Sequence, residues 1–280
     1  MSDLTSKLLL ADLVEVTQIS EKTFSGKCLA GATGRIFGGQ VAAQAMRSAT
    51  LISPEKRDIH SFSCIFLRPG NPEYEVRYVV NELRDGKSLS TYRVDAHQNI
   101  EGKDSLILTS TSSFHIEEES QTFQDEMPSV ISPEECGPAV YTPPGSSSRV
   151  REPIDLRWPD APPNSMAPSQ PRQMTWFKSR DKLPDEPLVQ ACALAYITDL
   201  TLAYTAHRPL NNAKTTLNGA SLDHSMHFHR PFKADEWVLF EQEANSFSGS
   251  RSISSGKIFT QDGLLIASVR QEALVRRKID

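Results

Sequence analysis

Apolar positions in this chain recur at two spacings. Between Gly38 and Ser53, the residues Val41, Ala42, Ala45, Met46 and Ala49 fall at helical spacing and are mostly small. This predicts a helix opening at Gly38-Gly39-Gln40, with a slim face around which a sheet can wrap closely. A second small-residue segment, Pro187 to Ala206, predicts another such helix, and Pro187 suits a first helical turn. Elsewhere the period is two. Leu265, Ala267, Val269, Gln271, Ala273 and Val275 share one face of a predicted strand, while Ser268, Arg270, Glu272 and Arg276 share the other.

These elements occur twice in the same order. Ser63-Cys64-Ile65-Phe66-Leu67-Arg68-Pro69 and Ser225-Met226-His227-Phe228-His229-Arg230-Pro231 both fit S-x-x-F-x-R-P. Each follows a predicted helix and precedes alternating strands joined by a polar turn, Glu101-Gly102-Lys103 in one case and Gln261-Asp262-Gly263 in the other. Internal duplication explains the order, and the implied unit is one central helix followed by several antiparallel strands. Eleven of the eighteen prolines lie between Pro128 and Pro171, with Gly145 and the run Ser146 to Ser148 among them, so this stretch cannot hold a long helix or a central strand. The division expected is therefore an N-terminal repeat over 1–118, an irregular connector over 119–171, and a C-terminal repeat over 172–280.

Composition narrows the classes. The chain is 38% hydrophobic and 23% charged, which is globular, and its net charge of −5 without a basic block argues against nucleic acid as a partner. No stretch approaches the ~18 apolar residues of a membrane span; Leu188 to Ile197 is interrupted by Gln190 and followed by Asp199. The segment Met1 to Val16 carries Asp3 and Asp12 and a short apolar run, unlike a signal peptide. Cys28, Cys64, Cys136 and Cys192 form no C-x-x-C pair and read as reduced thiols of an intracellular protein. The ending Lys278-Ile279-Asp280 is not the usual peroxisomal address.

A few polar residues stand out against apolar surroundings. The helical neighbours of Asp199 are Ala195, Tyr196, Leu202 and Ala203, so its carboxylate is either buried with a raised pKa or wet at the helix rim. Gln271 is the one polar group on its strand face, and its amide bonds either to backbone or to a substrate or water. Ser221 precedes a strand whose pattern places it with Asp223, Ser225 and His227, and alternation does not choose among them. His224, His227 and His229 alternate across that strand with no completing cysteine or carboxylate, so packing histidines are expected and no metal site. G-x-S-x-G is absent, and Gly86-Lys87-Ser88 resembles the end of a P-loop but has Asn81 where the first glycine belongs.

Taken together, the segments Arg35 to Val41, His60-Ser61-Phe62 with Phe66 to Gly70, Leu83 to Gly86, Tyr196 to Leu200, Ser221 to Phe232, and Phe259 to Gly263 through Gln271-Glu272 resemble the acyl-CoA thioesterase II family. The likeness spans nearly the whole chain outside the connector. It implies an α+β double hot-dog fold: two repeats, each an antiparallel sheet wrapped around a central helix. It also implies hydrolysis of fatty acyl-CoA to free fatty acid and CoA, without a cofactor. The family holds its attacking water with an Asp, a Thr or Ser, and a Gln, which fall on Asp199, Ser221 and Gln271. Ser221 keeps the donor and acceptor of a threonine but lacks its methyl group.

Near the matching points of the first repeat lie Gln44 and Ser112, so the chemistry is expected in the second repeat. A homo-oligomer is implied, because open hot-dog sheet edges are usually paired. The expected setting is cytoplasmic, with the peroxisome as the alternative. Two rival functions keep the fold: a non-catalytic acyl-CoA binder, and a hydratase. Asn71-Pro72 resembles part of a hot-dog hydratase motif but lacks the flanking Asp and His.

Overall fold

The small apolar residues near Gly38 form a helix, as their spacing predicts. The computed structural model describes residues 7–31, 34–137, 148–160, 168–210 and 217–277. The serine run 146–147, several connector prolines and the C-terminal tripeptide 278–280 lie outside them. Helix α1 (Leu10–Val14), strands β1 (Thr17–Ser20) and β2 (Thr23–Gly26), and helix α2 (Gly38–Thr50) come first. Strands β3 (Asp58–Phe66), β4 (Val76–Asp85), β5 (Leu89–Ile100) and β6 (Lys103–His115) complete the first repeat. Helix α3 (Ser148–Arg151), strands β7 (Ile154–Arg157) and β8 (Arg172–Ser179), and helix α4 (Pro187–Thr198) follow. A 3-10 segment (Leu202–Leu210) leads into β9 (Leu217–Ser221), β10 (Asp223–Phe228), β11 (Val238–Ser248), β12 (Arg251–Thr260) and β13 (Leu265–Arg277).

The strands form one continuous sheet in the order β1-β2-β4-β5-β6-β3-β10-β13-β12-β11-β8-β7, with β9 paired to β13. Read outward from the β3–β10 seam, the two halves match strand for strand. The seam is antiparallel and pairs Ser63 with Ser225, the first residues of the two S-x-x-F-x-R-P copies. A local two-fold therefore relates the repeats, and the duplication read from the motif is present in the architecture. The turn at Glu101-Gly102 has φ of 52° and 83°, the left-handed pair that a tight hairpin needs. Gly86-Lys87-Ser88 is also a hairpin turn, between β4 and β5, which ends its likeness to a phosphate-binding loop.

Both central helices are more completely buried than their apolar faces require. On α2 the polar residues Gln40, Gln44 and Arg47 are buried as well. Their groups are paired, as burial demands. Gln40 and Gln44 each donate from Nε2 to the carbonyls of Leu13 and Lys27, and Gln44 Oε1 accepts from the Tyr78 hydroxyl at 2.7 Å. Arg47 bonds Glu15 and, at 2.8 Å, Glu186 at the start of α4, which ties the repeats together. Gln44 is thus a mid-helix structural residue. The position in the first repeat that corresponds to Asp199, the C-cap of α4, is the C-cap of α2, Leu51.

Helix α4 is apolar on every side because helix, sheet and connector all cover it. The continuous helical segment Pro187–Leu210 is long and apolar enough to cross a membrane by length and composition, but most of it is buried inside the protein. The connector is less irregular than its prolines imply. Strand β7 joins the sheet beside β8, but at the outer edge, where proline-flanked strands are tolerated. The carbonyl of Val150, in α3, accepts the Tyr196 hydroxyl at 2.8 Å.

Candidate active site

Three elements from distant parts of the chain deliver the three polar side chains. Asp199 caps the C-terminus of α4 in helical conformation and is 8% exposed, which decides between the two sequence readings in favour of burial. Gln271 sits on the inward face of β13, where alternation places it, and is also buried. Ser221 reaches the same point through a slip in strand pairing. It pairs with Ala273, whereas Ser225, four residues on, pairs with Arg270, only three residues back. The extra residue at Leu222-Asp223 reverses which side chains face inward. Ser221 therefore shares the buried face of Ala273 and Gln271, and Ser225 shares the solvent face of Arg270. Strict alternation could not separate them. Asp223 supports the slip by accepting the Glu272 N–H at 2.6 Å.

Gln271 Nε2 donates to Asp199 Oδ1 at 2.5 Å and to Ser221 Oγ at 3.0 Å. The Ser221 hydroxyl donates to Asp199 Oδ1 at 3.4 Å. This uses both amide protons and the hydroxyl proton, and leaves Gln271 Oε1 buried with no partner among the described residues. A fourth contact comes from the first repeat, where the Gly39 N–H bonds the Asp199 carboxylate. Burial pushes the Asp199 carboxyl up to about 6, against the lowering effect of hydrogen bonds from Gln271, Gly39 and Ser221. The carboxylate can thus hold a proton yet is ionised at neutral pH.

Sequence reasoning missed Gly39. Its signal was the paired glycine at the start of α2. A Cβ on Gly39 would lie 2.8 Å from the Tyr196 carbonyl oxygen and 2.7 Å from the Phe37 ring. A Cβ on Gly38 would lie 3.2 Å from Asp199 Oδ2. Only glycine lets the N-terminus of α2 come so close to the end of α4. That N-terminus, with its unpaired N–H groups and positive dipole end, opens onto the carboxylate.

Asp199 and Ser221 line a cavity of about 290 Å³ whose walls come from both repeats: Phe37, Gly38 and Phe66 from the first, Leu200, Ala203 and Leu222 from the second. Arg35 and Arg68 also line it. No cysteine competes as a nucleophile. All four are free and buried, and burial raises the thiols of Cys28, Cys64, Cys136 and Cys192. The three histidines of the β10 region diverge: His224 is buried against the Thr198 hydroxyl at 3.0 Å, while His229 bonds Ser268 on the exposed side.

Two family models match the chain. One described as acyl-CoA thioesterase covers residues 164–274, and one described as the acyl-CoA thioesterase N-terminal domain covers residues 30–115. Acyl-CoA thioesterase 2 of Haemophilus influenzae is 33% identical over 99% of this chain and 99% of its own. Human acyl-coenzyme A thioesterase 8 is 31% identical over 97% of this chain and 90% of its own. Among solved structures, the acyl-CoA thioesterase II TesB2 of Mycobacterium marinum superposes with a TM-score of 0.78 at 34% identity, covering 96% of this chain and 98% of that one.

Proposed function

Because the chain belongs to the acyl-CoA thioesterase family and hydrolyses acyl-CoA thioesters, we propose that Asp199, Ser221 and Gln271 carry that hydrolysis on fatty acyl-CoA by direct attack of water. The single observation that carries the proposal is the buried Asp199 carboxylate, raised to about 6 and held by Gln271 and Ser221 beside an unpaired amide oxygen. Water donates one hydrogen bond to Asp199 and one to Gln271 Oε1. As its oxygen bonds to the thioester carbon, its proton passes to Asp199. The carbonyl oxygen becomes an oxyanion, for which the N–H of Gly38, first residue of α2 and part of the cavity wall, is the donor best placed. The C–S bond then breaks, the carbonyl re-forms, and CoA leaves as the thiol by taking the proton that Asp199 holds, which returns the carboxylate to its ionised form. No acyl-enzyme forms. Arg35 and Arg68 on the cavity wall supply positive charge for the CoA phosphates.

Thiol release measured over saturated acyl-CoAs of increasing length tests the reading. We expect release with at least one length, and kcat/KM should fall as pH drops through about 6, because protonated Asp199 cannot accept a second proton. A well-folded protein that frees no thiol from any chain would instead be the non-catalytic binder. We also propose a homo-oligomer in the cytoplasm, with the peroxisome as the alternative compartment. The sheet ends in unpaired edges at β1 and β7, and the four free cysteines suit a reducing interior. A solution mass of 31.1 kDa would refute the oligomer, and cell fractionation separates the compartments.

A further inference from the structure

The second copy of S-x-x-F-x-R-P has no part in this chemistry, and its place in the fold shows what it does instead. The first copy contributes Phe66, Arg68 and Pro69 to the cavity beside Asp199. The two-fold at the Ser63–Ser225 pair carries these residues onto Phe228, Arg230 and Pro231. Those three line a second cavity, of about 790 Å³, on the other side of the seam. Further positions correspond. Ile59, in its wall, stands where Ser221 stands in the first site, and Pro187 and Leu188, at the start of α4, stand where Gly38 opens α2.

The second cavity stands where the two-fold places it but is larger than the first, about 790 Å³ against 290 Å³, and it lacks the first one's chemistry. Ile59 takes the place of Ser221 and Ser112 that of Gln271, since Thr111 pairs with Ser63 as Arg270 pairs with Ser225, and the end of α2, at Thr50 and Leu51, carries no carboxylate. Pro187, with no N–H, replaces the glycine donor at the helix start. What remains is a pocket of mixed lining, with one apolar side formed by Ile59, Leu188, Leu265 and the stacked rings of Phe228 and Phe232 at 6.3 Å. Residues 116–125 form one wall. This strap is fastened by Gln124, which donates to the Gly263 carbonyl at 2.8 Å and accepts the Leu265 N–H at 3.1 Å. His60 belongs to the wall of the same cavity, and its buried Nε2 has no hydrogen-bond partner among the described residues.

We propose that this cavity is a second, non-hydrolytic site for a fatty acyl chain, with His60 donating to the oxygen at the head of the chain. That oxygen belongs either to the carboxylate of the reaction's product or to the head of an intact acyl-CoA. The site is argued from the two-fold and the cavity, while the ligand class rests on the proposed function. Among the described residues, the rim carries the one cation Arg230 against Asp58, Glu117, Glu118 and Asp125, and burial holds His60 and His229 toward the neutral form, in which His60 can donate without charge. Burial of the alkyl chain, not the head group, supplies most of the affinity.

Calorimetric titration of the full chain with dodecanoate, and separately with S-dodecyl-CoA, a thioether that cannot be hydrolysed, tests this. At least one of the two should fill two sites per chain. Leu188→Trp, which fills the second cavity from its half-exposed side, should remove one of them and leave kcat and KM unchanged. His60→Gln should weaken the same site by about tenfold. Ala203→Trp, in the catalytic cavity, should remove the other site. Dodecanoate binding alone identifies the carboxylate as the head group, and S-dodecyl-CoA binding alone identifies intact acyl-CoA. A single site per chain with both ligands, lost in Ala203→Trp and untouched by Leu188→Trp and His60→Gln, would overturn the proposal. The titration uses no turnover, so its failure is separate from a failure to release thiol.

Discussion

Asp199→Asn should lower kcat by about 10²–10⁴-fold, the range that a positioned general base supplies. Asparagine keeps a carbonyl oxygen where Asp199 Oδ1 accepts Gln271 and Ser221, so the site should hold its shape and bind S-dodecyl-CoA as the parent does. It cannot take the proton from water. The variant should also unfold no earlier than the parent at pH 8. A carboxyl raised from 3.8 to about 6 in the folded chain costs the fold stability as pH rises through that interval, by roughly 3 kcal/mol once both states are ionised. Below pH 3.8 that penalty is absent. Asparagine removes the buried charge and with it the penalty. The measurements are single-turnover thiol release and a thermal melt at pH 8. A kcat within a few-fold of the parent would take Asp199 out of the reaction.

Gln271→Ala is the second large effect. The truncation removes the donor at 2.5 Å from Asp199, the donor at 3.0 Å from Ser221, and the unpaired Oε1 that orients the water. A misplaced nucleophile costs about 10²-fold, and the loss should fall on kcat with little change in KM. A second signature separates this role from simple packing. The Gln271 hydrogen bond holds the Asp199 carboxyl down against its burial, so without it the carboxyl should rise further. The acid limb of the kcat/KM profile should therefore move to higher pH than in the parent. A variant that loses activity while keeping the parent profile would recast Gln271 as a residue of the core. Gln271→Asn tests the same point from the other side, because it keeps the amide but withdraws it by one methylene.

Much of this molecule was legible in its sequence. The spacing of Val41, Ala42, Ala45, Met46 and Ala49 located α2, and the alternation from Leu265 to Val275 located β13 and singled out Gln271. The paired S-x-x-F-x-R-P motifs announced the duplication that the β3–β10 seam displays. Other features escaped because they depend on contacts rather than on pattern. Gln44 was placed near the point in the first repeat that matches Asp199, but it lies in mid-helix, away from the helix end where Asp199 stands. It is a core residue because the N-terminal segment folds over α2 and offers the carbonyls of Leu13 and Lys27. The prolines of the connector argued against a central strand, and the strand that does form there, β7, is a short one at the edge, where a proline neighbour does no harm.

The chain alone determined which side chains stand out as candidates, since residue type and local period depend only on neighbours a few positions away. That a carboxylate among apolar neighbours and a lone amide on a core strand were unusual could be read directly at Asp199 and Gln271. Tertiary structure decided the rest. The pairing slip at Leu222-Asp223 turned Ser221 inward while Ser225 stayed out, and strand register is set by long-range partners. Gly39 of the first repeat became a ligand of a carboxylate in the second only because α2 and α4 pack antiparallel, the start of each beside the end of the other. The two-fold that unites the repeats thus built two cavities and placed an acid in one of them.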